Sequence, residues 1–234
     1  MAFPQVSDAD TQSGVQTSNS TSWTCTFPTN IAAGDLLLAF FGIDGAGPRT
    51  ASATDWSNLV SEASDGSASL DVLYKDAVGT ETGNFTATIS GSEQGCWRTI
   101  RIPAASWWGV VAEGVAVANT TGSGLTPDPS SLNPSGWDIE DTLWIAAAAS
   151  DHGDTTYTLF PLNYTNTSAQ ESGGAGGAAL GIARLESAVA SENPGAFTTD
   201  ASEGWVADTI AIRPAAAAAE RVPRSTSYPQ LLAN

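Results

Sequence analysis

The sequence predicts an all-β fold: an antiparallel β-sandwich of the jelly-roll kind, followed by an extended C-terminal arm. Short apolar or alternating segments recur between turn signals along the 234 residues, a pattern typical of sandwiches. Only 14% of the residues are charged, and Ser, Thr, Asn and Gly take the place of the missing charges, which favours strands and turns. No segment has the apolar stripe of an amphipathic helix.

Two segments near the N-terminus have the clearest strand patterns. In residues 21–27, large apolar side chains alternate with Ser and Thr, which is the period of a half-buried strand. Residues 35–43, DLLLAFFGI, are apolar almost throughout, and this predicts a strand covered on both faces. We therefore expect the core to be built around residues 35–43.

The same signals predict the remaining strands, in chain order at residues 55–62, 68–75, 84–90, 96–102, 110–117, 141–149, 180–185 and 205–212. Asp65-Gly66 predicts a hairpin turn between the first two of these. Arg98 and Asp208 fall on the apolar faces of their strands. We expect Arg98 to pair with a carboxylate there, and a place at the strand edge is the alternative. Residues 121–136 are rich in Pro, Gly and Ser, which predicts a long surface loop of the kind that often contacts a partner.

The pattern divides the chain into an N-terminal extension (1–20), one sandwich domain (21–213) and a C-terminal arm (214–234). The arm is basic and contains prolines in an otherwise acidic protein, so we expect it to lie across a neighbouring subunit. A disordered terminus is the alternative. The expected contact residues of the arm are Arg221, Arg224, Tyr228, Leu231 and Leu232.

The charge balance bears on partners and location. With 25 acidic and 8 basic residues the net charge is −17, which repels phosphate backbones and anionic lipids, so we expect neither nucleic acid nor a membrane as partner. No apolar run approaches the roughly 20 residues needed to cross a bilayer. The polar N-terminus carries no secretory signal, so we expect the protein to be made and kept in a cytoplasm.

The sequence predicts neither catalysis nor a bound metal or cofactor. His152, the single histidine, lies in a turn, and no nucleophile-elbow motif accompanies it. One histidine and two distant cysteines are too few for a zinc site. Calcium ligands could come from Asp151 and Asp154, or from Asp8 and Asp10, but no calcium-loop motif is present.

Cys25 and Cys96 each fall inside a predicted strand. Buried free thiols are expected in a reducing compartment, and one disulfide is the alternative if the two strands are neighbours.

The adjacent residues Trp107 and Trp108 cannot both point inward from a strand, so we expect one of them to be exposed. An exposed indole suits a partner surface or a sugar-binding platform, whereas core packing is the simpler reading. Both residues are candidates for partner binding. Four other tryptophans are expected in the core: Trp23, Trp97, Trp144 and Trp205.

Four segments together resemble virion structural proteins of tailed bacteriophages, including proteins that decorate or cement the capsid. These segments are NIAAGDLLLAFFGIDG (30–45), GTETGNFTATISGSEQGCWRTIRI (79–102), DTLWIAAAASD (141–151) and ENPGAFTTDASEGWVADTIAIRP (192–214). The motifs are structural, so the resemblance transfers no catalytic residue.

The resemblance implies a non-enzymatic capsid decoration protein that binds the major capsid protein and neighbouring copies of itself at the virion surface, as a homo-oligomer. Similar β modules occur in tail and fibre proteins, so a carbohydrate- or receptor-binding module there is the alternative. A hydrolase with a carboxylate pair is a third hypothesis, because acidic β-sandwich enzymes exist.

Overall fold

The computed structural model describes residues 2–216, without the side chains of residues 61–64. Strands account for 56% of the chain and helix for 3%, so the prediction of an all-β sandwich is confirmed. The strands are β1 (Gln12–Thr26), β2 (Leu36–Asp44), β3 (Ala51–Ala53), β4 (Ser57–Ser64), β5 (Ala68–Asp76), β6 (Asn84–Ile102), β7 (Val115–Gly124), β8 (Glu140–Asp151), β9 (Tyr157–Leu159), β10 (Thr165–Glu171), β11 (Ala178–Val189), β12 (Thr198–Thr199) and β13 (Glu203–Ile212). One helical turn, α1 (Val111–Gly114), precedes β7.

Two antiparallel sheets pack face to face, and each is formed by one half of the chain. The first has the strand order β1-β6-β2-β5-β4, with β3 paired to β6, and the second has the order β10-β11-β8-β13-β7. The jelly-roll variant of the sandwich stays a prediction. So does the C-terminal arm, which lies outside the described residues beyond residue 216.

The two sheets have the same internal topology, a feature that the sequence analysis missed. We letter the five main strands of each half A to E in chain order: β1, β2, β4, β5 and β6 in the first half, and β7, β8, β10, β11 and β13 in the second. Both sheets then have the strand order A-E-B-D-C. The registers also agree: Ala39 pairs with Thr99 across B and E of the first sheet, and Ala146 pairs with Thr209 at the corresponding place in the second. The sandwich is therefore an internal structural duplication.

The two halves face each other around an approximate two-fold axis. Strand β2 contacts its counterpart β8, β6 contacts β11, and β5 contacts β13. Both β2 and β8 begin at the same end of the sandwich, because Trp107, which follows β6, bridges to Pro214, which follows β13. The axis therefore runs along the strands, between β2 and β8.

Three apolar clusters stabilise this arrangement. The central one fills the space between the sheets, with Phe40 and Ile145 among its members. A second lies on the outer face of the first sheet, where Trp23 packs against Phe41. A third lies on the outer face of the second sheet, where Phe197 is buried. Strand β2 is consequently buried on both faces, as predicted.

Both outer faces are covered by folded-over segments. On the first sheet, the register of β1 against β6 shifts between Gln16 and Ser22, and beyond these shifts the paired strands fold back, so that the Thr99 hydroxyl donates to the Thr26 carbonyl at 2.8 Å. Bulges of this kind let a strand bend sharply. On the second sheet, the short strand pair of β9 and β12 covers the outer face in the same way.

Several strand boundaries differ from the predictions. Strand β1 begins at Gln12, so residues 12–20 of the predicted extension are paired to β6. The predicted strands 84–90 and 96–102 form one strand, β6. The predicted strand 110–117 begins with α1, and β7 continues to Gly124, into the segment predicted as a loop. The hairpin of β4 and β5 is as expected.

Cys25 and Cys96 are free and buried. They lie in different apolar clusters, on opposite faces of the first sheet, so the disulfide alternative is wrong. No helix within residues 2–216 is long and apolar enough to span a membrane.

Candidate functional site

The first candidate surface is the end of the sandwich where β2 and β8 begin, which we call the Trp108 end. Trp107 is only 2% exposed, and its indole Nε1 donates to the Gly34 carbonyl at 3.2 Å. Its backbone bridges to Pro214. The side chain of Trp107 therefore closes the central core, and partner binding by Trp107 stays a prediction.

Trp108 is half-buried and is held flat against Arg213. The guanidinium carbon of Arg213 lies 3.8 Å from the centroid of the indole ring, within the range of a cation–π contact. The indole Nε1 donates to Glu113 at 2.9 Å. Arg213 also donates two hydrogen bonds to Glu140, at 2.8 and 2.5 Å, and these raise the pKa of the guanidinium. Trp108 is thus a fixed, partly accessible ring.

Exposed apolar side chains also lie at the Trp108 end. Val78 follows β5 and is 65% exposed, Val110 precedes α1 and is 50% exposed, and Ile139 precedes β8 and is 71% exposed. The described residues end at the same end of the sandwich, where the Ala215 amide donates to the Ser106 carbonyl at 3.1 Å. The predicted contact residues Arg221, Arg224, Tyr228, Leu231 and Leu232 lie outside the described residues.

The opposite end of the sandwich carries a cluster of titratable side chains, which we call the Asp44 cluster: Asp44, Glu93, Asp151, His152 and Glu203. Asp44 and Asp151 are the last residues of the central strands β2 and β8. Because these strands lie on either side of the two-fold axis and contact each other, their final carboxyl groups are neighbours, and Asp151 raises the pKa of Asp44.

The internal duplication also explains why the other residues of the Asp44 cluster lie at the same end of the sandwich. Glu93 and Glu203 occupy equivalent positions of the two E strands by register. Gly45 and His152 follow the two aspartates, and both have a positive φ, of 132° and 64°. Each half of the chain therefore supplies an aspartate, a turn residue and a glutamate to the same place.

The charges at this end are only partly balanced. Arg49 Nε lies 2.7 Å from Glu93, and His152 Nδ1 lies 3.5 Å from Glu203. Burial, the neighbouring Asp151 and the more distant Glu93 raise the pKa of Asp44 to about 7. Donor atoms of Asp151, His152 and Glu203 all lie within 4.8 Å of one another, so these residues could hold a metal ion.

The carboxylate pairs that the sequence offered as calcium ligands are not kept together in the structure. Asp151 joins the Asp44 cluster, whereas Asp154 is exposed and outside it. Asp8 pairs with Arg184, and Asp10 with Arg101. Sequence reasoning missed Glu203, since nothing local connects it to His152.

Arg98 does not pair with a carboxylate within residues 2–216, contrary to the prediction. Its guanidinium donates to the hydroxyls of Ser168 and Thr11. The nearby Asp8 is instead bonded to Arg184, and desolvation together with the Arg184 charge lowers the pKa of Arg98.

A third feature is a half-buried aromatic stack of Phe27, Trp56 and Phe85 on the outer face of the first sheet. The ring centroids of Phe27 and Trp56 each lie 4.8 Å from that of Phe85. Trp56 and Phe85 are separated in sequence and meet only because β1 and β6 fold back, so no local signal predicted the stack.

No family model, no curated protein and no solved structure matches this chain. Its two ends and its aromatic stack are therefore interpreted from its own residues.

Proposed function

We propose that the protein is a non-enzymatic virion structural protein, a decoration protein that binds the major capsid protein and neighbouring copies of itself and stabilises the phage head. The observation that carries the proposal is the composition of the Trp108 end. A fixed indole, three exposed aliphatic side chains and the last described residues, Ala215 among them, all lie there. Clustered apolar side chains beside an aromatic anchor are the usual core of a protein interface.

Charge supports the same proposal. The protein has a net charge of −17, yet residues 217–234 contain two arginines and one glutamate. A basic segment is attracted to the acidic sandwich of a neighbouring copy, and this favours a subunit-to-subunit staple. The sequence of the sandwich also resembles the virion proteins named above. The protein would be made in the host cytoplasm and then assemble on the phage head.

Cosedimentation with capsids assembled from the matching major head protein tests the proposal. We expect the full chain to bind, and a chain ending at Pro214 to lose most of that binding. Ile139→Asp at the Trp108 end should also weaken binding. Leu125→Asp, at a residue that is 48% exposed and follows β7 at the opposite end of the sandwich, should bind like the unchanged protein.

If the full chain stays in the supernatant, the decoration role is wrong. If Leu125→Asp reduces binding as much as Ile139→Asp does, the Trp108 end is not the docking surface.

The aromatic stack of Phe27, Trp56 and Phe85 favours a second candidate, a carbohydrate- or receptor-binding module of a tail or fibre. Sugar rings pack on accessible indole faces. Trp fluorescence should then change on titration with a bacterial surface glycan, and Trp56→Ala should abolish the change while Trp108→Ala leaves it. A flat response across a glycan panel would remove this candidate.

A further inference from the structure

We propose that the Asp44 cluster binds one divalent transition-metal ion of the zinc type, with Asp151, His152 and Glu203 as its protein ligands. This site is independent of the decoration role. The sequence argued against a metal because the chain has one histidine, but the sheet register brings Glu203 beside His152.

The geometry fits a three-ligand site. One imidazole nitrogen and two carboxylate oxygens lie within 4.8 Å of one another. Ligands of one zinc ion, with bonds of about 2.0–2.2 Å, lie roughly 3–4 Å apart. All three side chains are only partly buried, so small rotations can bring their ligand atoms from within 4.8 Å to the spacing around one zinc ion. The fourth coordination position is then left for water or a partner's side chain.

The surroundings of the three ligands favour a cation as well. Asp44 and Asp151 end the two central strands, which lie against each other, and neighbouring carboxylates repel unless a positive charge lies between them. Arg49, which lies at this end, is already paired with Glu93. Its charge therefore balances a carboxylate other than Asp151.

The donor set selects the class of metal. Imidazole suits zinc and other late transition ions, whereas calcium and magnesium prefer oxygen donors alone. A mixed set of one nitrogen and two carboxylates thus favours zinc. A bound ion would also attract Asp44, which belongs to the other half of the chain, and so tie the two sheets together on their axis.

Zinc titration of chelator-treated, full-length protein tests the proposal, by calorimetry and by NMR of the imidazole. His152 is the single histidine, so one set of ring signals reports on it. We expect one zinc ion to bind per chain and to shift those signals. His152→Gln and Glu203→Gln should each weaken binding about 10-fold or more, whereas Asp154→Asn, exposed and outside the cluster, should not.

Circular dichroism and the melting temperature show whether each variant folds, and Asp151→Asn replaces any variant that does not. The proposal is overturned if the full chain shows no saturable zinc binding, or if His152→Gln binds zinc as tightly as the unchanged protein. Calcium binding that depends on Glu203 but not on His152 would also overturn it, since the site would then be an oxygen-only one.

Discussion

At the scale of single residues, Asp208 is the clearest conflict between side chain and surroundings. It is fully buried in the apolar layer between the sheets, and neither carboxyl oxygen has a hydrogen-bond partner in the described part of the chain. Burial, and secondarily the charge of Asp71, raises its pKa well above the ordinary value. The folded protein therefore favours the neutral, protonated form of this carboxyl.

This predicts a loss of stability as the pH rises. The unfolded chain releases the Asp208 proton near pH 4, whereas the folded protein retains it, so the free energy of unfolding falls with increasing pH, by up to about 1.4 kcal/mol per pH unit. Asp208→Asn should make that slope smaller, and the part that remains includes the contribution of Asp44, whose raised pKa acts in the same pH range. Urea unfolding at pH 5, 6 and 7 measures this pH dependence of the free energy of unfolding. Asp128→Asn, at an exposed residue, is the control. Equal slopes for Asp208→Asn and the unchanged protein would show that Asp208 does not cause the dependence.

The thiols give a second prediction at this scale. Burial raises the pKa of both Cys25 and Cys96 to about 12, and only the thiolate is reactive. We expect a thiol-specific disulfide reagent to modify neither cysteine in the native protein and both after unfolding in guanidinium. Fast modification of a native cysteine would contradict the burial described above.

At the scale of elements, β6 shows how a glycine decides the course of a strand. The segment SGSEQG (90–95) has the composition of a turn, and for that reason the sequence predicted two strands. Gly95 instead continues the ladder, paired with Ile43 and Gln16. A Cβ atom there would lie 2.1 Å from the Gly42 carbonyl oxygen and 2.6 Å from the Trp23 ring, so only glycine allows the folded-back segment to approach.

We therefore expect Gly95→Ala to lower the free energy of unfolding by about 3 kcal/mol, through overpacking against backbone and indole. Denaturant unfolding measures the change. Gly176→Ala is the matched control, since a Cβ there meets nothing closer than 3.5 Å. Equal effects of the two substitutions would show that the close approach at Gly95 is not rigid.

At the scale of the whole molecule, the duplicated halves depend on each other. The central cluster draws Phe40 from the first half and Ile145 from the second, and neither sheet buries its inner face alone. Coupling of this kind makes unfolding cooperative. We expect Trp fluorescence and far-UV circular dichroism to give one coincident urea transition; two separated transitions would mean that the halves are independent units.

The sequence by itself determined the strands whose local pattern is unambiguous. The run DLLLAFFGI is β2, buried on both faces, and Asp65-Gly66 does join a hairpin. Alternation with period two reports which residues share a face, and this placed Asp208 correctly with Val206 and Ile210. Such information is local, because it depends on neighbours along the chain.

Only the tertiary structure decided which of those residues meet. The contact of Asp44 with Asp151, the approach of His152 to Glu203 and the pairing of Asp8 with Arg184 rather than Arg98 all join distant segments. Strand order and register set these contacts, and a one-residue shift of register would reverse the face of every side chain in a strand. The sequence did not reveal the duplication for the same physical reason. The two halves share strand order and register, which depend on backbone pairing and require few identical side chains.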